Sequence, residues 1–449
     1  MTKTLNSWRS AFSIYCRRPV LSMIFLGFSA GLPFSLVSST LSAWLADEHV
    51  SLSVIGYFSL VGAAYSVKVL WAPVVDRLPL PLLHALFGKR RSWMLFAQFG
   101  IGLGLLGMSC LNPVTQLHQL AWLAIWVAFC SATQDVAIDA YRIEIVAPEF
   151  QGAMAAMYVF GYRLSLLVAG AGVFYIAEYQ TWQMAYQAMA VAMLVGVLAT
   201  LLIAEPKIKV GIRTLQFEAK IESALGLGRS SNLMFRILRW FSDAVVSPFA
   251  EFFQRNGKAG SMILALIAVY KISDIAMGVM ANPFYLELGF SKKDIADVTK
   301  VFGFFMTIIG TSLGGVLVVR FGIMRPLLFG AIIVAATNLL FAALAKVEPD
   351  MRLLAGVISA DNLSGGIATA AFIAYLSSLT NSAYTATQYA LFSSLMTLPA
   401  KLIGSFSGEV VANYGYYTFF NYSALIGLPA VALVVLLMRT VSDDDETVQ

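Results

Sequence analysis

Six charged residues stand inside long apolar stretches of this 449-residue chain: Arg163, Lys271 and Lys401, with Asp135, Asp274 and Asp361. A charge at the middle of a bilayer costs on the order of 2.5 to 3.5 kcal/mol on the mildest scale, so each needs a partner or a purpose. A guanidinium and two ammonium groups can capture carboxylates, and a buried carboxylate without a cation beside it can carry a proton. Three cations against three carboxylates leave an empty site neutral. A second reading makes the six a set of salt bridges that only lock helices together. Buried pairs are weak sources of stability, because desolvation often exceeds the Coulomb gain, and this favours the functional reading.

Lys271 and Asp274 are three residues apart and share one helix face. Asp361 has no cation near it in sequence and is followed by Asn362 and the flexible Ser364-Gly365-Gly366. Asp135 is in the same position unless Arg163 reaches it. Proton coupling is therefore assigned to Asp361, Asp135 and Asp274, of which Asp274, beside Lys271, is the poorest carrier. Trp122, Trp126, Cys130 and Gln134 recur every four residues and form one face, with Asp135 and Asp139 beside it. Indole, amide and carboxylate on one face suit a polar ligand, although Trp122 alone reads as an interfacial residue near a helix end. Substrate contact is assigned to Arg163, Lys271, Lys401, Gln134, Trp126 and Asn362. Asp139 and Arg142 fit an inner rim, and Lys68 can snorkel inward.

Catalysis has no residues to run on. His49, His84 and His118 fall in loops, Cys16, Cys110 and Cys130 match no metal spacing, and neither a nucleophile set nor a phosphate loop occurs. The expectation is a protein that is not an enzyme, holds no metal or cofactor, and is not driven by ATP. Charged residues make up 12% of the chain and hydrophobic ones 59%, with a mean hydropathy of +0.77. Those values exclude a soluble enzyme, a disordered tail and a disulfide scaffold. The net charge of +5 is too thinly spread for nucleic acid.

The elements that must position the six charges are membrane helices. A bilayer core of about 30 Å takes roughly 20 apolar residues, and twelve such runs are found. The first six lie near 21–44, 53–75, 92–111, 119–142, 152–176 and 182–203, and the second six near 261–286, 296–319, 326–345, 353–378, 387–411 and 417–438. Their length and lack of alternation exclude a barrel, and the first run is too long for a signal peptide core. At about 1.5 Å per residue, Arg163, Lys271, Asp274, Asp361 and Lys401 all lie roughly 15 to 20 Å deep, with Asp135 slightly nearer the inner side.

Loops that fall on the side of the N-terminus hold most of the Lys and Arg, whereas the opposite loops hold Lys292, Lys293, Lys346 and Arg352. By the positive-inside rule both termini face the cytoplasm. Residues 1–203 and 261–449 form two six-helix bundles, the second with a short acidic tail. The polar insert 204–260 links them, and in it Phe241, Val245, Phe249, Phe252 and Phe253 recur beside Asp243, Glu251 and Arg255, as in a surface-lying amphipathic helix. The halves echo each other: Gln151-Gly-Ala-Met154 and Gln388-Tyr-Ala-Leu391 are followed by Arg163 and Lys401 at nearly equal offsets, and Asp76-Arg77 pairs with Val319-Arg320. Duplicated bundles point to a transporter with its site between them near the midplane.

Ala72-Pro-Val-Val-Asp76-Arg77, with Gly88-Lys-Arg90-Arg91 after it, resembles the loop 2–3 signature of the major facilitator superfamily. The resemblance implies that Asp76, Arg77 and Arg90 control gating, together with Arg320 of the second copy, in which Val319 replaces the acid. Longer stretches are similar to the AmpG-type muropeptide permeases of Gram-negative inner membranes: Gly31-Leu-Pro33, Leu70-Trp-Ala-Pro73, Phe129-Cys-Ser-Ala-Thr-Gln-Asp135, Gly161-Tyr-Arg-Leu164, Tyr270-Lys-Ile-Ser-Asp274, Asn362-Leu-Ser-Gly-Gly366 and Thr385-Ala-Thr-Gln-Tyr-Ala-Leu391. They cover nearly all twelve runs. Longer members carry two further C-terminal helices, which this sequence, ending in Asp443-Asp-Asp-Glu446 and Gln449, is expected to lack.

That resemblance implies proton-driven import of N-acetylglucosaminyl-1,6-anhydro-N-acetylmuramyl peptides from periplasm to cytoplasm, for cell-wall recycling and β-lactamase induction. It implies an inner-membrane protein whose partners are its small-molecule cargo, protons and the lipid bilayer; a monomer is expected. It also implies that the first, fourth, seventh and tenth spans line the cavity. An acetyl-CoA transporter-like permease and a muropeptide sensor that moves nothing are the two competing readings.

Overall fold

The computed structural model describes residues 13–50, 58, 61–62, 64–206, 242–257, 259–290, 298 and 302–446. Among them the regular structure is helical. Ten helices are long and apolar enough to cross a membrane: α1 Arg18–Asp47, α3 Lys89–Ser109, α4 Leu117–Ile145, α5 Pro148–Tyr179, α6 Trp182–Leu202, α7 Ala259–Glu287, α8 Gly303–Phe321, α9 Met324–Leu344, α10 Met351–Ser378 and α12 Ser407–Arg439. Two more complete the twelve. α2 comes in three short pieces, Ala64–Val67, Lys68–Leu70 and Ala72–Arg77, and its expected start at residue 53 lies outside the described residues. α11, Thr385–Ser405, carries Gln388 and Lys401 and is too polar for the same criterion.

Several spans are interrupted, and two of the interruptions fall where charges stand. α7 breaks between Ala259–Val269 and Ile272–Glu287, with Lys271 as the cap of the second piece and Asp274 in its first turn. α2 tightens to a 3-10 turn at Lys68. A broken helix at membrane depth is tolerated where it borders a cavity or protein, and its freed backbone and turned side chains become a site. α12 kinks at Gly415, whose φ of 74° is a left-handed conformation that glycine adopts without a Cβ clash.

Small residues set how closely the helices cross, since in lipid the packing itself drives association. α1 and α5 meet at Gly27 and Gly161: a Cβ on Gly161 would overlap the Ile24 carbonyl, and one on Gly27 would overlap that of Tyr158. In the second half α8 and α10 cross at Gly310 and Gly366 in the same way, against the Leu363 and Thr307 carbonyls. Gly161→Ala is therefore expected to remove most of the folded, membrane-inserted protein, because backbone on both sides would have to part. Gly102→Ala, where nothing lies within 4 Å, should be tolerated and gain about 0.5 to 1 kcal/mol of helix propensity. A monodisperse gel-filtration peak of Gly161→Ala at wild-type yield would contradict this packing argument.

One apolar cluster draws on both halves, with Ile14, Val75 and Met154 packed with Val316, Val319 and Ala386. It lies at the end of the bundle where Arg17, Arg90, Arg142 and Arg320 gather, here called the basic end. The start of the insert is fixed there. Glu205 accepts hydrogen bonds from the backbone N–H groups of Arg90 (2.7 Å) and Arg91 (3.1 Å) at the first turn of α3, and Arg91 donates to the last carbonyls of α6, Thr200 (2.9 Å) and Leu201 (2.7 Å).

Of the amphipathic segment, Ser247–Asn256 is helical, and Phe241 lies outside the described residues. This helix does not lie loose on a surface. Glu251 accepts from Asn381 Nδ2 (2.9 Å) and Gln388 Nε2 (2.8 Å), Arg255 donates to the Leu379 carbonyl (2.6 Å), and buried Phe252 packs on Phe392. Its charged face is spent on the turn between α10 and α11.

Candidate functional site

A cavity of about 120 Å³ lies between α5, α7, α8 and α10. Arg163 enters it from α5, Asp274 from α7, Thr307 from α8, and Asp361, Asn362 and Thr369 from α10. Three charges expected to converge near the midplane from distant parts of the sequence, Arg163, Asp274 and Asp361, thus line one cavity. Lys271 stands beside it: its Nζ is 2.6 Å from Asp274 Oδ2 and donates to Thr369 Oγ1 at 2.9 Å. The broken end of α7 supplies this pair, because the chain turns at Tyr270 and Lys271 and the next helical turn delivers Asp274.

Arg163 is exposed to the cavity and makes neither a hydrogen bond nor an ion pair with the described residues. The carboxylate whose charge acts on it is Asp274. Asp361 lies within the fields of Asp274 and Lys271, and its own carboxylate has no hydrogen-bonded partner among the described residues. Asn362 is oriented: its Oδ1 accepts from Thr307 Oγ1 (2.8 Å) and its Nδ2 donates to the Ile358 carbonyl (3.0 Å). The result is a polar niche with one unengaged guanidinium, one engaged ion pair and one unengaged carboxyl group. It suits an anionic group held by Arg163 and a proton held by Asp361.

The other expected site residues stand elsewhere. Lys401 donates to Ser66 Oγ at 2.8 Å and so joins α11 to α2. Asp135 is in the field of Lys68 and Asp139, and its own charge acts on Tyr65, Tyr158 and Tyr162. Arg163, the cation that the alternative reading placed beside it, belongs to the other group. The single six-charge cluster is thereby corrected to three separate groups, because α4 turns Asp135 toward α2 and away from the cavity. The residues of the ligand wall expected on α4 stand apart from this cavity. Trp126 donates its indole N–H to the Gly100 carbonyl (3.0 Å), and Gly100 and Gly104 of α3 leave room for Cys130 and the indole ring. Gln134, on the same face, is fully buried, and neither of its amide atoms has a hydrogen-bond partner among the described residues. Trp126 and Cys130 pack on α3, and neither Trp126 nor Gln134 lines the cavity.

At the basic end the loop 2–3 residues form a closed contact between the halves. Buried Asp76 accepts from Arg90 Nη2 (2.8 Å), from the backbone N–H groups of Ala386 (3.1 Å) and Thr387 (2.6 Å), and from Thr387 Oγ1 (2.8 Å). Ala386 and Thr387 lie in the first turn of α11, so a carboxylate of the first half caps a helix of the second. Arg90 also pairs with Glu144 of α4, and both side chains are almost wholly buried. The Arg77 guanidinium lies 5.3 Å from the centre of the Tyr384 ring.

The second copy of the motif is built differently. Val319 sits in the shared apolar cluster and Arg320 lies 5.6 Å from the Phe321 ring. The matching helix start, Gly152 of α5, is pressed against Gly315 and Val318 without a capping acid. One pseudo-symmetric contact is polar and the other apolar. Arg142 and Tyr15 add further bonds across the halves, to Ser377 Oγ (2.9 Å) and the Ser312 carbonyl (2.7 Å).

Glu144, Thr369, Thr307, Thr387 and Ser377 were not singled out by sequence reasoning. Glu144 carried a signal, an acid two residues after Arg142 at a span end. The hydroxyl residues carried none, since Ser and Thr are ordinary in membrane helices. Among the described residues no three His, Cys, Asp or Glu gather as metal ligands. A larger cleft of about 420 Å³ opens between α1, α4 and α6, but Leu21, Phe25 and Leu202 make it an apolar surface groove.

A model of the Major Facilitator Superfamily matches residues 23–400. The anhydromuropeptide permease of Escherichia coli (strain K12) is 35% identical over 421 residues, covering 93% of this chain and 79% of that one. Among solved structures, the major facilitator transporter FucP in the outward conformation superposes with a TM-score of 0.66 at 12% identity, covering 93% of this chain and 97% of that one. The human organic anion transporter MFSD10 gives 0.63 at 13% identity, with 93% and 99% covered. At such identities the two structures bear on the fold alone.

Proposed function

Because the chain belongs to the major facilitator superfamily and, within it, to the AmpG-type permeases, we propose that it is a proton-driven importer of anhydromuropeptides, carrying N-acetylglucosaminyl-1,6-anhydro-N-acetylmuramyl peptides from periplasm to cytoplasm for peptidoglycan recycling. The observation that carries this reading is the 35% identity over 93% of the chain to a permease of that name. It is a carrier and not an enzyme, a monomer in the inner membrane, with its basic end and both termini in the cytoplasm, as the positive-inside rule requires. The closed basic end then makes the described conformation the one that accepts cargo from the periplasm.

The cavity supports the reading by its chemistry. At about 120 Å³ it takes the anionic end of a cargo rather than a whole disaccharide peptide. Arg163 offers a carboxylate two parallel hydrogen bonds, and Asn362, Thr307 and Thr369 offer amide and hydroxyl contacts. Asp361, without a cation bonded to it, is the carboxylate that takes up and releases the proton.

Uptake of labelled anhydromuropeptide into proteoliposomes, competed with acetyl-CoA, tests the proposal. Accumulation should collapse with an uncoupler and persist without ATP; competition by acetyl-CoA would favour the acetyl-CoA permease, and binding without uptake would favour the sensor. Asp361→Asn should retain binding and lose accumulation against a gradient, since an amide mimics the protonated acid and cannot cycle. Asp274→Asn should instead weaken binding or folding, as it leaves Lys271 without its carboxylate. The reverse pattern would move the proton to α7.

A further inference from the structure

α4 carries three charged residues on successive turns of one face, Asp135, Asp139 and Arg142. Lys68 reaches this row from the broken part of α2. Its Nζ is 3.9 Å from Asp139 Oδ2, and its charge acts on Asp135 as well. At the lower end Arg142 is fully buried and spans the two halves. Nη1 donates to Gln151 Oε1 (3.0 Å) and across the interface to Ser377 Oγ (2.9 Å), the guanidinium lies 5.1 Å from the centre of the Tyr389 ring, and Nη2 is 3.4 Å from Asp139 Oδ1. Asp139 is therefore held by two cations, neither at ideal distance. The titratable groups coupled electrostatically to Asp135 are Lys68 and Tyr65 of α2, Tyr158 and Tyr162 of α5, Asp139 one turn along its own helix and Tyr389 of α11. The tyrosines are uncharged near neutral pH.

We infer that Lys68, Asp139 and Arg142 are positioning residues of a relay that ties the charge on Asp135 to closure of the basic end. While Asp135 is neutral, Lys68 has Asp139 as its nearest anion, and Arg142 is left to Ser377 and Tyr389 and holds the halves together. When Asp135 gives its proton to water, the new carboxylate competes for Lys68. Asp139 then loses part of its neutralisation and draws Arg142 away from the interface. A proton bound without cargo thus keeps the basic end shut, which suppresses proton leak. The relay deepens the transport reading above and rests on it only for its purpose, since the charge-to-closure link needs no cargo.

The test uses spin labels on the exposed positions Leu86 and Arg439 at the basic ends of the two halves, introduced as Leu86→Cys and Arg439→Cys with Cys16→Ser and Cys110→Ser. Distances are measured without cargo from about pH 6 to about pH 8. The closed-to-open ratio should fall with rising pH, by at most about tenfold per pH unit for one linked proton. Asp135→Asn should stay closed throughout. Asp139→Asn and Lys68→Gln should lose the pH response while Asp135 is intact, and Lys68→Arg should restore it. A wild-type response in both Asp139→Asn and Lys68→Gln would overturn the relay, as would a pH-independent wild-type protein. An intact response in a protein that fails to take up anhydromuropeptide would instead remove the cargo assignment and leave the relay standing.

Discussion

Arg163→Ala is expected to reduce uptake of anhydromuropeptide by about a hundredfold or more, with Arg163→Lys recovering little of it. Among the described residues the guanidinium is the cation at the cavity that is not already bonded: Lys271, beside it, is engaged by Asp274 and Thr369, and Lys401 stands elsewhere on Ser66. A hydrogen bond to a charged group contributes about 1.5 to 3 kcal/mol, and a carboxylate gripped by two of them loses both when the guanidinium goes. Lysine would restore a point charge without the fork. The rival explanation is that Arg163 only offsets a neighbouring acid. Sequence alone names Asp135 as that acid; the fold names Asp274. The informative pair is therefore Arg163→Ala with Asp274→Ala. Recovery of uptake in the double variant, per correctly inserted molecule, would make Arg163 a neutraliser, whereas a folded and inert double variant would keep it as the anion anchor.

What the sequence makes legible follows from the physics of each signal. The cost of charge in lipid singles out Arg163, Lys271, Asp274 and Asp361 one residue at a time, and helix rise places them at one depth. These four come together around the cavity. Depth is one coordinate, however, and the rotation of a helix about its axis is another. The periodic face of α4 gives the angle between Trp126, Gln134 and Asp135 but not the neighbour each direction meets. Gly100 and Gly104 decide that, by letting α3 approach the tryptophan side. Asp135 then falls to Lys68, whose reach depends on the 3-10 turn just ahead of Pro73; the proline, by crowding the Val69 carbonyl, announces a break in α2 but not which neighbour Lys68 is turned toward. The linker helix is present, and what the sequence leaves out of it has a related cause. Its amphipathic pattern shows that one face is polar, yet not that Glu251 and Arg255 find Asn381, Gln388 and Leu379 in place of water.

Asp76→Asn should shift the resting protein from a closed to an open basic end, by a hundredfold or more in the closed-to-open ratio. Asp76 keeps Arg90 in either state, since both belong to the first half. Its bonds to Ala386 N, Thr387 N and Thr387 Oγ1 exist only when the halves meet. Only interactions that differ between the two states move the equilibrium, so the relevant loss is that of the bonds to α11. Two charge-assisted bonds to backbone N–H groups, at about 1.5 to 3 kcal/mol each, exceed the ~2.7 kcal/mol that a hundredfold shift requires. An asparagine turned to accept from Arg90 would present its amide N–H group to the N–H groups of α11, and the positive end of that helix would lose its anion. Arg90 would still have Glu144, which keeps the fold of the first half intact and separates a gating defect from misfolding. Asp76→Glu, with the charge retained on a longer stem, should fall between the two. Accessibility of a cysteine introduced as Thr387→Ser combined with Ala386→Cys would be confounded by the latch itself, so the Leu86 and Arg439 label pair is the better reporter. A closed population in Asp76→Asn equal to that of the wild type would show that the apolar contact of Gly152 with Gly315 and Val318, rather than the capped helix, holds the basic end shut.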